Sequence, residues 1–279
     1  VIAPAMNNGM WKAPATQANM STLRERGVHV VGPGSGYLAC GDVDTGRMSE
    51  PEDIVEAVCE VLKPVLQDLA GKRIIITAGP THEPIDPVRF IGNRSSGKMG
   101  IALAGEAARR GAAVTLVLGP TSLDVPRGVE CVHVQTAAEM LQAALSAFQT
   151  ADAAICAAAV ADYTPAAPAD HKLKKANERL DRIDLVETVD ILAELSRQKG
   201  ERCVIGFAAE TDNVVEYAER KLTRKGCDAI IANDVSRADS GFGTDTNKAW
   251  IVSTTGTQEL PVLTKPQLAD AILDLLQNL

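Results

Sequence analysis

Hydrophobic positions along the second part of the chain form short continuous runs that alternate with longer amphipathic stretches. The apolar runs predict strands at 73–79, 113–119, 129–135, 151–159, 203–210, 227–234 and 249–254. The stretches between and after them predict helices at 97–110, 137–149, 190–198, 213–225 and 265–278. Short apolar strands that alternate with helices are typical of a parallel sheet covered on both faces.

The first 70 residues differ from this regular alternation. They contain one strand-like run at 28–33, then a glycine-rich stretch and a helical pattern at about 51–69. The change predicts two domains, 1–70 and 71–279. For the second domain we expect an α/β, Rossmann-like, doubly wound and mostly parallel sheet.

Predicted helix ends carry the residue types that end helices. Asp190 and Asn213 are suited to cap helix N-termini because their side chains can accept hydrogen bonds from the first free N–H groups. Gly111 and Gly226 are suited to end helices because glycine adopts the left-handed conformation at low cost.

Composition narrows the classes of function. The net charge is −8, from 28 Lys and Arg against 36 Asp and Glu, which argues against a nucleic-acid-binding surface but leaves room for a local basic pocket. No apolar run approaches the roughly 18 residues of a membrane span. The six cysteines form no CxxC pair, which argues against a zinc site or disulfide framework. Without a signal peptide after Val1, these features predict a cytoplasmic protein with no membrane association.

The long segment that follows the first predicted strand of the second domain carries several anion-binding groups. Ligands of open parallel sheets bind at the carboxyl ends of the strands, where this segment must lie. Amide, hydroxyl and backbone donors stand just before a predicted helix, at Asn93, Ser95, Ser96 and Gly97. A plain helix cap explains the same residues, but Arg89 beside them favours an anionic ligand. Neither GxGxxG nor GxxxxGK[ST] is present, which argues against NAD and P-loop sites.

Two further predicted strands end at residues with recognition chemistry. Asp162 follows one of them, and a run of lysines comes soon after it, at Lys172, Lys174 and Lys175. An acid there can accept from an exocyclic amine or a ribose hydroxyl, and lysines on an arm can neutralise a polyphosphate. A lysine run is also typical of an ordinary solvated face.

Another strand end carries Phe207, which suits stacking on a base but equally suits a place in the core. The next predicted helix carries Lys221 and Lys225, four positions apart and therefore on one face. That face forms a phosphate clamp if it is directed toward the strand ends, and ordinary surface if it is not.

Taken together, these segments resemble the bacterial 4′-phosphopantothenoylcysteine synthetase family, usually fused behind a flavin-dependent 4′-phosphopantothenoylcysteine decarboxylase. The synthetase likeness covers about 69–279, with five motifs in family order: GKRIIITAGPTHEPIDPVRFIGNRSSGKMG, AAVADYTP, KLKK, GFAAET and ANDVS. The decarboxylase likeness covers 1–70, with APAMNNGMW (3–11) and ACGDVDTGRMSEPEDI (39–54). The resemblance implies a complete ligase domain preceded by the C-terminal part of a decarboxylase, a truncated α/β flavoprotein segment.

The resemblance implies a CTP-dependent ligase of coenzyme A biosynthesis. The carboxylate of 4′-phosphopantothenate would attack CTP to give an acyl-cytidylate, and cysteine would then displace CMP. Mg²⁺ is expected with the triphosphate, with its protein ligands unknown. The family places CTP at Cys156, Ala157, Ala158, Asp162, Lys172, Phe207, Lys221 and Lys225. It places 4′-phosphopantothenate at Arg89, Asn93, Ser95, Ser96 and Gly97, with catalytic roles for Asn93 and Lys172.

For residues 1–70, the resemblance implies a proton-donating catalytic Cys40 and a substrate-binding Asn7. A proton donor is chemically sensible because decarboxylation leaves a carbanion-like enethiolate. FMN and decarboxylation are expected only of the intact fusion, because the regions for the flavin phosphate and the catalytic histidine lie outside this likeness. The synthetase family forms dimers and the decarboxylase family trimers, so a homo-oligomer is expected.

Two other hypotheses remain at this point. A nicotinamide-dependent oxidoreductase would use the same architecture, but it needs a GxGxxG-like turn after the first strand, where the sequence has GPTHEP. Alternatively, residues 1–70 form only an interaction segment that docks onto other chains, which the solution mass with and without them would reveal.

Overall fold

The computed structural model describes residues 1–37, 41, 43–62, 66–174, 181–237, 240 and 243–278. The chain divides into two units, Val1–Val65 and Leu66–Leu279. Among the described residues, no helix has both the length and the apolarity that crossing a bilayer requires.

The residues that the structure describes in the first unit form three helices and one antiparallel strand pair. Its elements are α1 (Asn8–Lys12), α2 (Pro14–Glu25), β1 (Gly34–Tyr37), β2 (Val43–Arg47) and α3 (Pro51–Leu62). The strand predicted at 28–33 is wrong: Val30 makes only an isolated bridge to Ile2, and Pro33 lacks the N–H that a ladder needs. The antiparallel pair is instead β1 with β2. Cys40 lies outside the described residues.

The second unit contains every strand and helix that was predicted for 71–279, each shifted by only a few residues. Its strands are β3 (Arg73–Ala78), β4 (His82–Pro84), β5 (Phe90–Gly92), β6 (Ala113–Leu118), β7 (Glu130–His133), β8 (Ala153–Cys156), β9 (Tyr163–Pro165), β10 (Leu185–Glu187), β11 (Cys203–Glu210), β12 (Ala229–Asp234), β13 (Thr246–Ser253) and β14 (Gly256–Thr264). Its helices are α4 (Lys98–Arg109), α5 (Ala137–Phe148), α6 (Ile191–Arg197), α7 (Val214–Lys225) and α8 (Lys265–Asn278).

Eight strands form the central sheet in the order β14-β13-β12-β11-β8-β3-β6-β7. The six strands from β7 to β12 pair in parallel, whereas β13 and β14 extend that edge antiparallel. Numbered along the chain, the parallel strands follow the order 3-2-1-4-5-6 of dinucleotide-binding folds, with the switch point between β3 and β8. The predicted α/β fold class is therefore confirmed.

The core is built on both faces of this sheet. Because side chains alternate along a strand, Ile74 and Ile76 pack into one apolar cluster with α4 and α8, and Ile75 packs into the other with α5, α6 and α7. The helix α4 lies unusually close to β3, since a Cβ at Gly100 would fall 2.3 Å from the Cβ of Ala78. This contact fixes the start of α4 beside the end of β3.

The expected helix ends are confirmed with one difference. Asp190 caps α6 by accepting from the Ala193 N–H at 2.9 Å, and Gly226 ends α7 in the left-handed region. Gly111 follows α4 with a positive φ of 90°. Asn213 stands at the α7 N-cap position, but its backbone is left-handed and its side chain makes no capping bond.

Candidate functional site

A cavity of about 640 Å³ opens at the carboxyl ends of the parallel strands. It lies at the switch point, where the segments that follow β3, β8 and β11 meet. Most of the predicted site residues line it: Asn93, Ser95, Ser96, Gly97, Cys156, Ala157, Ala158, Asp162, Phe207, Lys221 and Lys225. The fold thus gathers into one cavity residues from three of the five motifs, together with the predicted lysine pair.

The start of α4 forms one wall of the cavity. Gly97 is its N-cap residue, with φ at 78° and no side-chain capping bond. The first N–H groups of a helix have no partner within the helix, and together with the helix dipole they favour an anion. Thr121 donates to the Ser96 carbonyl oxygen at 2.9 Å and so holds the Ser95–Ser96 turn in place. The wall is therefore suited to a phosphate or carboxylate.

Asn93 joins the loops that follow β3 and β8. Its Nδ2 donates to the carbonyl oxygen of Val160 at 2.9 Å and to that of Ala159 at 3.3 Å. The amide therefore lies at the boundary between the two walls of the cavity, where a reacting centre would meet both.

The first residues after β8 present mainly backbone to the cavity. The N–H groups of Ala157 and Ala158 donate to the carbonyl oxygen and Oγ1 of Thr77 at 3.1 and 3.4 Å. Burial raises the pKa of the Cys156 thiol to about 12. The thiol is therefore neutral at physiological pH and unsuited to act as a nucleophile. Asp162 reaches the cavity from the same segment as an exposed carboxylate.

The helix α7 directs two ammonium groups at the opposite wall. Lys221 Nζ donates to the carbonyl oxygen of Phe207 at 2.7 Å, and Lys225 Nζ contacts the carboxylate of Asp190. Burial lowers the pKa of Lys221, and the nearby charge of Lys225 lowers it further. For Asp190, burial is the largest single influence and favours a raised pKa. The hydrogen bonds from Lys225 and the Ala193 N–H, together with the charges of Lys225 and Lys221, outweigh it, and the pKa is lowered. The sequence left open whether the lysine pair faces the strand ends or is ordinary surface. In the structure the pair faces the strand ends.

One corner of the cavity was missed by sequence reasoning. Lys265 is only 6% exposed and its Nζ donates to the Oδ1 of the buried Asn247. Burial lowers the pKa of Lys265 to about 8. Lys98 lies beside it and holds Asp245 at 2.7 Å. Both lysines are the first residues of their helices. Lys98 lies within the first motif but carried no predicted role, and Lys265 lies in no motif.

The buried Oδ1 of Asn233 also lines this cavity and has no hydrogen-bond partner in the described part of the chain. A buried unpaired acceptor is costly. Its place in the lining suggests that a ligand donor completes its hydrogen bonding. The sequence identified ANDVS as a motif but gave this asparagine no role.

Three predicted site residues lie away from the cavity lining. The guanidinium of Arg89 is held by Asp86 and by the Leu173 carbonyl oxygen, and Lys172 is exposed on the segment beside it. Asn7 lies in the first unit, where its Oδ1 accepts from the Gly9 N–H at 2.8 Å and caps α1.

The described residues contain no group of three or more His, Cys, Asp or Glu side chains that is placed to hold a metal ion. Mg²⁺ commonly keeps several waters and binds through substrate phosphates with few protein carboxylates. The carboxylates that line the cavity are those of Asp162, Glu187 and Asp190, a set compatible with a cation that arrives with a nucleotide.

Comparisons with known proteins agree with this architecture. A family model described as the DNA/pantothenate metabolism flavoprotein C-terminal domain matches residues 69–279, and one described as Flavoprotein matches residues 1–63. The coenzyme A biosynthesis bifunctional protein CoaBC of Escherichia coli (strain K12) is 48% identical over 276 residues, which cover 98% of this chain and 68% of that protein. The chain belongs to the CoaBC family.

Two further comparisons support the family assignment. CoaBC of Bacillus subtilis (strain 168) is 47% identical over 98% of this chain and 68% of its own length. The crystal structure of the C-terminal domain of a CoaBC protein matches 76% of this chain and 97% of that domain, with 45% identity and a TM-score of 0.65. The predicted resemblance is thus confirmed for both segments. The oxidoreductase hypothesis loses its basis, since the chain after β3 enters the β4–β5 hairpin and α4 begins only at Lys98.

Proposed function

We propose that residues 71–279 form a phosphopantothenate–cysteine ligase domain that uses CTP and an acyl-cytidylate intermediate. The observation that carries the proposal is that one cavity combines an anion-binding helix start at Ser95–Gly97 with the ammonium pair of Lys221 and Lys225. A reaction between two phosphorylated substrates needs two such sites facing one reacting centre. The names of the CoaBC relatives, which place those proteins in coenzyme A biosynthesis, support this choice of substrates.

The chemistry follows in two steps. A carboxylate oxygen of 4′-phosphopantothenate attacks the α-phosphorus of CTP, and pyrophosphate leaves with the electrons of the broken P–O bond. The cysteine amine then attacks the activated carbonyl carbon, loses a proton, and displaces CMP to form the amide. Activation is needed because a free carboxylate has no good leaving group toward an amine. The protein supplies positioning and charge stabilisation for both steps.

The cavity suggests how the residues divide between the substrates. We assign CTP to the wall formed by Cys156, Ala157, Ala158, Asp162, Phe207, Lys221 and Lys225. We assign 4′-phosphopantothenate to the wall formed by Asn93, Ser95, Ser96 and Gly97, with Arg89 at its outer side. We assign to Asn93, which joins the two walls, the role of holding the intermediate, and to Lys172, on the exposed segment outside the lining, the role of stabilising the charge that develops during activation. A nucleotide-borne Mg²⁺ would neutralise further phosphate charge.

For the first unit we propose descent from the C-terminal part of a flavin-dependent decarboxylase over residues 1–70, with Asn7 at its substrate site and Cys40 as its proton donor. The Flavoprotein family match suggests FMN for the intact decarboxylase. No residue among those described in this unit is assigned to a flavin. We also propose that the chain assembles as a homo-oligomer.

Steady-state pyrophosphate release tests the proposed ligase. Pyrophosphate should form when CTP, Mg²⁺, 4′-phosphopantothenate and cysteine are all present, together with one 4′-phosphopantothenoylcysteine per turnover. Omission of any one substrate should abolish turnover. A folded chain that releases no pyrophosphate with CTP, or that does so without 4′-phosphopantothenate, would refute the proposal. Replacing CTP by ATP in the same assay would decide the choice of nucleotide.

A further inference from the structure

Asp86 is the centre of a small buried network in the loop between β4 and β5. Its side chain is fully buried. Oδ1 accepts from the Val88 and Arg89 N–H groups at 2.9 and 2.8 Å, while Oδ2 accepts from the Arg89 guanidinium, with Nε at 3.0 Å. Every contact of this carboxylate is with a donor, which favours its charged form.

The same network holds the segment that carries Lys172 and Lys174, the two lysines of the run that the structure describes. The Leu173 N–H donates to Asp86 Oδ2 at 3.2 Å, and Arg89 Nη2 donates to the Leu173 carbonyl oxygen at 2.9 Å. Both polar backbone groups of Leu173 are therefore bound by one Asp–Arg pair. A third contact, from the Ala169 N–H to the Ile85 carbonyl oxygen at 2.9 Å, attaches the start of the segment to the same loop.

Leu173 stands between two lysines that are exposed. Lys172 and Lys174 flank it directly, and Leu173 itself is half-buried. Holding the Leu173 backbone at both its N–H and its C=O fixes where the chain passes and which way the neighbouring side chains leave it. Without this hold, long lysine side chains on an exposed segment would lose much of their preorganisation.

We infer that Asp86 is a positioning residue for the ligase reaction, which acts by clamping Leu173, through Arg89 and directly, and so presents Lys172 for the activation step. The inference rests on the proposed function of Lys172. Asp86 itself lies outside the cavity lining. Nothing in the family resemblance assigned it a role.

The clamp requires a carboxylate at this position. An asparagine has the same shape but places either an NH₂ donor or a single neutral oxygen against the guanidinium and the Leu173 N–H. In the first case, donors would face donors. In the second case, a neutral acceptor would replace a charged one, and hydrogen bonds to a neutral acceptor are about half as strong. The hydrogen bonds from Arg89 and from the backbone hold the pKa of Asp86 well below its usual range, which favours the charged form that the clamp requires.

The test compares Asp86→Asn with Asp228→Asn in the full chain. Asp228 is a matched control, because it also accepts from a backbone N–H, that of Val204 at 2.8 Å, and pairs with a cation, Lys199. Asp228 immediately precedes β12. It therefore lies at the amino ends of the parallel strands, whereas the cavity lies at their carboxyl ends. We expect single-turnover pyrophosphate release with CTP and 4′-phosphopantothenate to slow about tenfold in Asp86→Asn and to change less than about twofold in Asp228→Asn.

A double-mutant cycle with Lys172→Gln separates positioning from general structural support. If Asp86 acts through Lys172, then Asp86→Asn should add little to the loss caused by Lys172→Gln. Multiplied losses, or an unchanged rate in folded Asp86→Asn, would overturn the inference.

Hydrogen exchange at the Leu173 amide tests the clamp without any variant. In the unsubstituted chain this amide should be protected at least about tenfold relative to an unstructured peptide, and in folded Asp86→Asn the protection should fall. Exchange at the unstructured rate in the unsubstituted chain would overturn the clamp even if Asp86→Asn failed to fold. A different outcome would refute the proposed function itself. If the Leu173 amide is protected but the chain releases no pyrophosphate with nucleotide, then the proposed ligase activity and the catalytic role of Lys172 are refuted.

Discussion

Lys221 Nζ lies 2.7 Å from the carbonyl oxygen of Phe207, at the cavity end of β11. This hydrogen bond joins α7 to the strand that precedes it and holds a buried ammonium group at the wall of the cavity. Burial lowers the pKa of Lys221 because it removes water from the ammonium group. An anion bound beside Lys221 would favour the charged form again. The Lys221–Phe207 contact thus links the fold of the second unit directly to its proposed nucleotide site.

Replacing Lys221 should therefore weaken nucleotide binding. We expect Lys221→Gln to raise the CTP dissociation constant about tenfold or more, since hydrogen bonds to charged groups contribute about 1.5–3 kcal/mol. Isothermal titration calorimetry measures this directly. Lys199→Gln, which removes a cation paired with Asp228, should leave the constant within about twofold. Equal effects of the two variants would show that net charge, rather than the α7 wall, governs binding.

Asn93 should be needed for amide formation. In Asn93→Asp, a carboxylate would face the carbonyl oxygens of Ala159 and Val160, where the amide now donates. We expect a folded chain that makes no 4′-phosphopantothenoylcysteine within detection. The product is followed by mass spectrometry, and Gln149→Glu serves as control because Gln149 donates to a backbone carbonyl on α5. Normal turnover in Asn93→Asp would remove Asn93 from the mechanism.

Substrate binding should be coupled to proton uptake at Lys265. Its pKa is lowered to about 8, first by burial and then by Lys98, against the opposing charge of Asp245. A bound anion favours the charged form and raises this pKa, so binding near pH 8.5 should take up a fraction of a proton. Calorimetry in buffers of different ionisation enthalpy measures the uptake. Lys265→Met should abolish it, and an unchanged uptake in that variant would place the proton elsewhere.

The same lowered pKa makes a prediction for stability. Between about pH 8 and the ordinary lysine pKa of 10.5, the unfolded chain binds more protons at Lys265 than the folded chain does. The contribution of this group to the free energy of unfolding should therefore rise with pH across that window. Urea denaturation at several pH values should show a shallower rise for Lys265→Met than for the unsubstituted chain.

Arg110 is predicted to matter for stability and not for ligation. It is fully buried at the end of α4 and pairs with Asp68, Asp270 and Asp274 at 2.6, 3.1 and 2.8 Å. Arg110→Met should lower the free energy of unfolding by about 3 kcal/mol, because it leaves these carboxylates without their cation. Asp274→Asn, at a side chain that is 65% exposed, should cost less than about 1 kcal/mol. Equal urea midpoints for the two variants would contradict this account.

The sequence predicted β3, β6, β8, β11 and β12 well because each contains a continuous apolar run that the sheet buries. The edge strand β7 is mostly exposed. The sequence failed for β14, whose residues are mostly exposed and carry no such run. It also failed for the antiparallel pairs β4–β5 and β9–β10, whose strands have only three residues each. Short or exposed strands are stabilised by pairing with distant segments, which periodicity does not reveal.

The residues of the candidate site also fall into those that the sequence could predict and those that it could not. Residues in motifs at strand ends, such as Asn93 and Phe207, could be predicted because the carboxyl edge of a parallel sheet collects them. The pairing of Lys98 with Asp245 could not, although Lys98 lies in the first motif, since the two residues are 147 positions apart. The contact of Asp86 with Leu173 spans 87 positions. Contacts of this kind follow from how loops pack over the sheet, and a local pattern carries no signal for them.

The most direct test of the central claim follows one oxygen atom. 4′-Phosphopantothenate labelled with ¹⁸O in its carboxylate is converted with CTP, Mg²⁺ and cysteine, and the products are analysed by mass spectrometry. Attack on the α-phosphorus predicts that one labelled oxygen appears in CMP for each amide formed. Label in inorganic phosphate together with CDP, or amide formation without labelled CMP, would contradict the acyl-cytidylate mechanism.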